Sequence, residues 1–121
     1  MSKRILVIED QEDNRRIVRD LLTSVGYEII EAVTGDDGVS AAAAHVPDLI
    51  LMDIQLPGLD GYEATRRIKA NPALYHIPII AVTSYALSGD DVKAFEAGCN
   101  GYVAKPFSPR ALLAKIREYL H

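Results

Sequence analysis

The chain is poor in what several protein classes require. Cys99 is the single cysteine among 121 residues, so no internal disulfide can form and a reducing compartment is compatible. Its thiol is expected to be a small, partly buried filler rather than a reactive group. A basic stripe is also missing. Thirteen Lys and Arg are scattered against seventeen Asp and Glu, for a net charge of −4 and a pI near 5.3. Proteins that grip nucleic-acid backbones carry a basic footprint, so direct nucleic-acid binding is not expected, nor is adhesion to an anionic membrane surface. The opening MSKRILVIED holds charge on both sides of a short apolar run, too brief for a signal-peptide core and followed by no small-residue cleavage site. A cytoplasmic protein is the expectation. Nothing resembles a linker, a repeat or a low-complexity tract, apart from the short Ala41 to Ala44 run.

What is present is the balance of a soluble globular domain: 49% apolar and 25% charged residues, in a length suited to one compact domain. Five short apolar runs alternate with stretches of helical periodicity, the signature of parallel βαβ units. The runs are Ile5 to Ile8, Glu28 to Ala32, Asp48 to Met52, Ile77 to Val82 and Gly101 to Ala104. The first, third and fourth are almost continuously apolar, as strands covered on both faces must be, whereas YEIIEA is more polar and suits an edge. Between them, Ile17, Val18, Leu21, Leu22 and Val25 recur at helical spacing before a stop at Gly26. Gly35 to His45 and Gly61 to Ala70 read as helices that end before prolines. Val92, Phe95 and Gly98 mark a fourth helix. Ser108 as N-cap and Pro109 at the first position open a fifth, with Leu112, Leu113, Ile116 and Leu120 on one stripe. The pattern predicts an α/β fold: a doubly wound, flavodoxin-like five-stranded parallel sheet of order 2-1-3-4-5 with five helices. Ligands of such sheets bind outside the carboxyl ends of the strands.

At those ends stand Glu9 and Asp10, then Asp53, then Thr83 and Ser84, then Lys105 and Pro106. Taken singly, each has an ordinary explanation. The acid pair suits a solvated turn with Asp13 capping the next helix, Thr83 a hydroxyl satisfied by backbone, and Lys105 a surface cation. Their convergence favours a site. Three crowded carboxylates raise one another's pKa unless a cation sits among them. An all-oxygen set without clustered His or Cys selects Mg²⁺ or Mn²⁺ over zinc. With the ion's help a carboxylate becomes a nucleophile toward phosphorus, while Lys105 and the Thr83 hydroxyl suit phosphoryl oxygens. His45, His76 and His121 fall outside this group.

The runs VIEDQEDN, LILMDIQLPGLDGYEA, AVTSYA and GYVAKPF closely resemble the receiver domains of two-component response regulators. The resemblance covers essentially the whole chain, in order. It implies one receiver domain over residues 1–121, acting as a stand-alone CheY-like phosphoprotein. Asp53 would accept a phosphoryl group from a histidine kinase or a histidine phosphotransfer protein. Asp10 and Asp53 would ligate Mg²⁺ directly, Glu9 largely through water, and the Gln55 backbone carbonyl would add a ligand. Thr83 and Lys105 would hold phosphoryl oxygens. Tyr102 would be the aromatic that turns inward as Thr83 moves, although a tyrosine there also suits plain core with its hydroxyl at the surface. Lys105-Pro106 would be a cis peptide. A downstream protein would read the face of helix four, strand five and helix five, and the chain would be a monomer or a weak phosphorylation-dependent dimer. Val92, Phe95 and Tyr119 are candidates for that surface, though helices more often bury such residues.

Three rivals are weaker. An aspartyl phosphohydrolase needs a second acid two residues past the nucleophile to protonate the leaving group, and that position is Gln55. The expectation is therefore a phosphoacceptor switch rather than an enzyme, with only slow self-phosphorylation and self-dephosphorylation. Gln55 and Tyr85 flank the site and would tune the lifetime of the phosphate. A flavin or nucleotide binder needs a Gly-, Ser- or Thr-rich loop at the first helix, where this chain has DQEDN. A scaffold without chemistry would have lost the acids or Lys105, and all are present.

Overall fold

The computed structural model describes residues 2–83, 90–105 and 107–120. Strands and helices alternate along the chain: β1 (Arg4–Ile8), α1 (Glu12–Ser24), β2 (Glu28–Ala32), α2 (Gly35–His45), β3 (Leu49–Asp53), α3 (Gly61–Ala70), β4 (Ile79–Thr83), α4 (Asp90–Ala97), β5 (Gly101–Ala104) and α5 (Pro109–Arg117). The strands form one parallel sheet in the order β2-β1-β3-β4-β5, as the alternation predicts. β1, β3 and β4 lie inside and are buried almost throughout, while the more polar β2 takes an edge. Because neighbouring residues of a strand face opposite ways, two cores result. Leu6, Ile8, Ile50, Met52 and Ile79 face one way with Ala64 and Ile68 of α3 and Ala94 of α4. Ile5, Val7, Leu49, Leu51 and Val82 face the other, with Leu22 of α1 and Leu112 and Ile116 of α5.

Local chemistry accounts for the helix limits. The Thr34, Asp60 and Ser108 side chains accept hydrogen bonds from the Asp37, Glu63 and Ala111 amides at 3.0, 2.9 and 3.0 Å, each satisfying a donor that the helix start leaves open. Gly26 follows α1 with φ 96°. Val46 closes α2 in a left-handed conformation, φ 44°, immediately before Pro47. Asp13 caps nothing. It sits inside the first turn of α1, whose N-cap is Gln11 with no side-chain cap bond.

β1 begins one residue before its sequence-based limit, at Arg4, and two strands are shifted at both ends. Asp48 stays outside β3 because its carboxylate accepts from the Arg4 amide and its own amide donates to the Arg4 carbonyl, both at 2.8 Å. β3 therefore begins at Leu49 and includes Asp53. In β4, Ile77 belongs to the preceding turn through a bond to the Leu74 carbonyl, and Pro78 lacks an amide to give the ladder. β4 thus runs on to Thr83. On the helices, Ile17 is 62% exposed and Val92 and Phe95 are about half exposed, so the periodicity that located these helices does not bury every apolar member. Cys99 is buried within 3.7 Å of the Thr65 hydroxyl, the filler role expected of it.

One glycine ties α3 to the end of β3. A Cβ at Gly61 would overlap the Asp53 carbonyl oxygen and the Ile54 Cα, both rigid backbone. Gly61→Ala is expected to destabilise the protein by about 1–3 kcal/mol, the usual cost of overpacking. It should appear as a lower urea midpoint with an unchanged slope.

Candidate functional site

Four strands deliver polar groups to one edge of the sheet. β1 hands over to Glu9 and Asp10, β3 ends on Asp53, β4 ends on Thr83, and β5 is followed by Lys105. The register aligns Asp53 with Val82 and Thr83 with Ala104, and the Lys105 amide donates to the Thr83 carbonyl at 2.7 Å. Glu9 and Asp53 are 5% exposed and Thr83 is 1% exposed. Ionisable and polar groups buried this far need partners.

Lys105 is the main partner. Its Nζ lies 2.7 Å from Glu9 Oε1 and 3.6 Å from Asp53 Oδ2. Asp53 Oδ1 accepts from the Gln55 amide at 3.0 Å, and Glu9 Oε2 from the Gln11 amide at 3.3 Å. The Gln55 side chain reaches further, donating through Nε2 to Thr83 Oγ1 at 3.2 Å. This contact joins the loop after β3 to the end of β4 and was not anticipated. Its sequence signal is a glutamine two residues beyond a strand-end acid, a spacing at which its backbone and side chain can serve different neighbours.

Glu9, Asp10 and Asp53 each present a carboxylate oxygen such that all three lie within 4.8 Å of one another. Burial, first, and a shared hydrogen bond with Asp53 push Glu9 above the usual carboxylate range, opposed only in part by Lys105. Asp10 is also raised, by burial and by its hydrogen bond with Glu9. One lysine does not neutralise three acids. The donor set is oxygen alone, with no His or Cys in the cluster, and so fits a hard divalent cation.

Tyr102 lies on β5 opposite Ala81, half-buried against the core beneath α3 and α4. Pro106, and with it the Lys105-Pro106 peptide, lies outside the described residues, as do Ser84, Tyr85 and His121. His45 ends α2, and His76 meets Tyr75 edge-on with ring centres 6.4 Å apart. Tyr119 is half-buried and donates its hydroxyl to the Asn100 carbonyl at 2.7 Å. A cavity of about 440 Å³ adjoins the acids between α1 and α5, lined by Ile17, Val18, Phe107 and Leu112 below Asp53 and Lys105. Among the described residues no helix is long and apolar enough to cross a membrane.

A family model described as the response regulator receiver domain matches residues 5–117. The polar-differentiation response regulator DivK of Brucella ovis is 42% identical over 120 residues, covering 99% of this chain and 98% of that protein. Its namesake in Brucella anthropi matches to the same extent. Among solved structures, the receiver domain of a Pseudomonas aeruginosa sensor histidine kinase superposes with a TM-score of 0.92 at 39% identity over 98% of both chains, and that structure has a magnesium ion coordinated in its active site cleft. A Vibrio cholerae chemotaxis protein, CheY4, superposes at 0.94 with 24% identity, covering 99% of this chain and 100% of its own, a likeness of fold.

The raised Glu9 pKa fixes the sign of a pH effect. A carboxyl with a higher pKa folded than unfolded binds more protons in the native state, so its contribution to stability is greatest below the ordinary carboxylate range. That contribution falls as pH rises from there through the raised value. Without divalent ions, the melting temperature of the wild type relative to Glu9→Gln should therefore fall across this window. Added Mg²⁺ should raise the wild-type value more at pH 7 than at pH 5. Melts followed by circular dichroism would contradict this if the two proteins kept a constant difference.

Proposed function

This chain belongs to the response regulator receiver domain family and is a phosphorelay receiver, and we propose that Asp53 is its phosphoryl acceptor. The observation that carries the assignment is the pairing of one buried strand-end carboxylate with Lys105 Nζ at 3.6 Å and two further acids within 4.8 Å. The donor is a phosphohistidine on a histidine kinase or a histidine phosphotransfer protein. An Asp53 oxygen attacks phosphorus, the P–N bond to the donor imidazole breaks as the new O–P bond forms, and the imidazole leaves with the electron pair. Such transfers require positioning and charge stabilisation more than covalent help.

The Gln55 amide on Oδ1 holds one Asp53 oxygen and leaves the other for attack. Glu9, Asp10 and Asp53 would hold Mg²⁺, or Mn²⁺ in its place, with the Gln55 carbonyl as a further ligand. When bound, the ion screens the phosphoryl charge from the acids. Lys105 then exchanges its contact with Glu9 for a phosphoryl oxygen, and the Thr83 hydroxyl donates to another. Added charge and acceptor oxygens draw Thr83 inward, and Tyr102 follows as the switch aromatic. The Lys105-Pro106 peptide is cis in this reading.

The output is a changed protein contact at the face of α4, β5 and α5. Val92 and Phe95, 53% and 50% exposed on α4, support it as a surface that a partner reads. The protein acts as one receiver domain over residues 1–121, in the cytoplasm, as a monomer or a weak phosphorylation-dependent dimer. It is a switch with slow self-phosphorylation and self-dephosphorylation, since the amide of Gln55 cannot supply the acid that hydrolytic turnover needs.

Incubation with Mg²⁺ and a small acyl phosphate should add one phosphoryl group to the intact mass of the wild type and none to Asp53→Asn. Equal labelling of both, or none of the wild type, defeats the assignment. Exchange of Gln55 and Tyr85 together should alter the decay rate of the acyl phosphate by reshaping water access to it. An unchanged half-life in the double variant would remove them from that role.

A further inference from the structure

β1 ends its ladder at Ile8 and α1 begins at Glu12, so the two acids of the first strand end sit on backbone that neither helix nor strand repeats hold in place. The Glu9 amide is tied to the Ala32 carbonyl at 3.1 Å. The Glu9 carbonyl, part of the peptide joining Glu9 to Asp10, is held by a side chain: Arg15 Nη1 donates to it at 3.0 Å. Arg15 Nε meanwhile bonds Glu31 Oε1 on β2 at 3.0 Å, and Glu31 is shared with Arg19. The Arg15 side chain is only 15% exposed, so this is no loose surface pair. A cation near a helix N-terminus opposes the helix dipole, and its presence there calls for another reason.

We propose that Arg15 is the positioning residue of the acid pair, clamping the Glu9–Asp10 peptide to β2 so that both carboxylates converge on a divalent cation. The proposal rests on the reading of the acid cluster as a Mg²⁺ site. A guanidinium is planar with donors in a fixed fork, so anchoring one arm on Glu31 sets the direction of the other. An ammonium has no such fork. Groups that orient metal ligands without touching the metal commonly contribute about 10- to 100-fold in affinity.

The test uses the full chain, titrated calorimetrically with Mg²⁺ as wild type, Arg15→Gln, Arg15→Lys and Glu31→Gln. Arg15→Gln is expected to weaken Mg²⁺ binding about tenfold, and Arg15→Lys nearly as much because charge without the fork does not orient the peptide. Glu31→Gln retains a neutral acceptor and should lose less than either. Independently of metal, the Glu9 carbonyl ¹³C resonance should move in Arg15→Gln while the folded spectrum is otherwise kept. Wild-type affinity in Arg15→Gln, full rescue by Arg15→Lys, or an unmoved Glu9 carbonyl resonance would each overturn the proposal. A wild type that binds no Mg²⁺, with the resonance still shifted, would instead overturn the reading of the site.

Discussion

Two carboxylates buried at one sheet edge, with a third beside them, require compensating positive charge, and the structure is organised around supplying it. Ionised groups removed from water are costly unless paired and hydrogen-bonded. Lys105 Nζ bridges Glu9 and Asp53 across a sequence separation of 96 residues, so the compensation exists only when β5 is docked beside β4. The start of α1 adds the Gln11 amide to Glu9. Even so, Glu9 and Asp10 remain shifted toward their protonated forms. That residual imbalance suits the cluster to a cation.

The apolar scaffold makes the imbalance sustainable. β1, β3 and β4 are covered on both faces, and a close-packed interior does not relax readily to let like charges separate. Polar groups are therefore confined to the strand ends, where the next helix or loop begins and small changes in bonding are affordable. The Gln55 contact with Thr83 is of this kind. It spans the loop after β3 and the end of β4, and because Gln55 donates to the Thr83 oxygen, the hydroxyl keeps its own hydrogen to donate elsewhere. The parallel sheet supplies both a rigid floor and a polar edge at the strand ends.

Much of this was legible in the residues. The alternation of apolar runs with helical periodicity predicts all five strands and the edge position of β2, and the limits of α2 and α3 follow from capping residues and prolines. The strand-end set Glu9, Asp10, Asp53, Thr83 and Lys105 was readable because a strand that is apolar and then abruptly charged has few reasons to be so. Less legible were contacts set by side-chain reach. Asp48 leaves β3 through its bonds to Arg4, Ile17 turns outward to the rim of a cavity, and Val92 and Phe95 stay exposed on α4. Periodicity specifies that a helix has an apolar face but not how far its neighbours extend to cover it.

The sequence by itself determined the fold class, the direction of the strands and the identity of the groups at their carboxyl ends, because these depend on local periodicity and on the chemistry of single residues. Only the tertiary structure decided which groups share a charge. Lys105 sits closer to Glu9 than to Asp53, Gln55 serves Asp53 with its backbone and Thr83 with its side chain, and Arg15 bonds the carbonyl between the two acids. The physical reason is range. Propensity and pattern act over a few residues of chain, whereas hydrogen bonds and ion pairs act over a few ångströms of space, and only the folded sheet brings residues 9, 53, 83 and 105 within that distance.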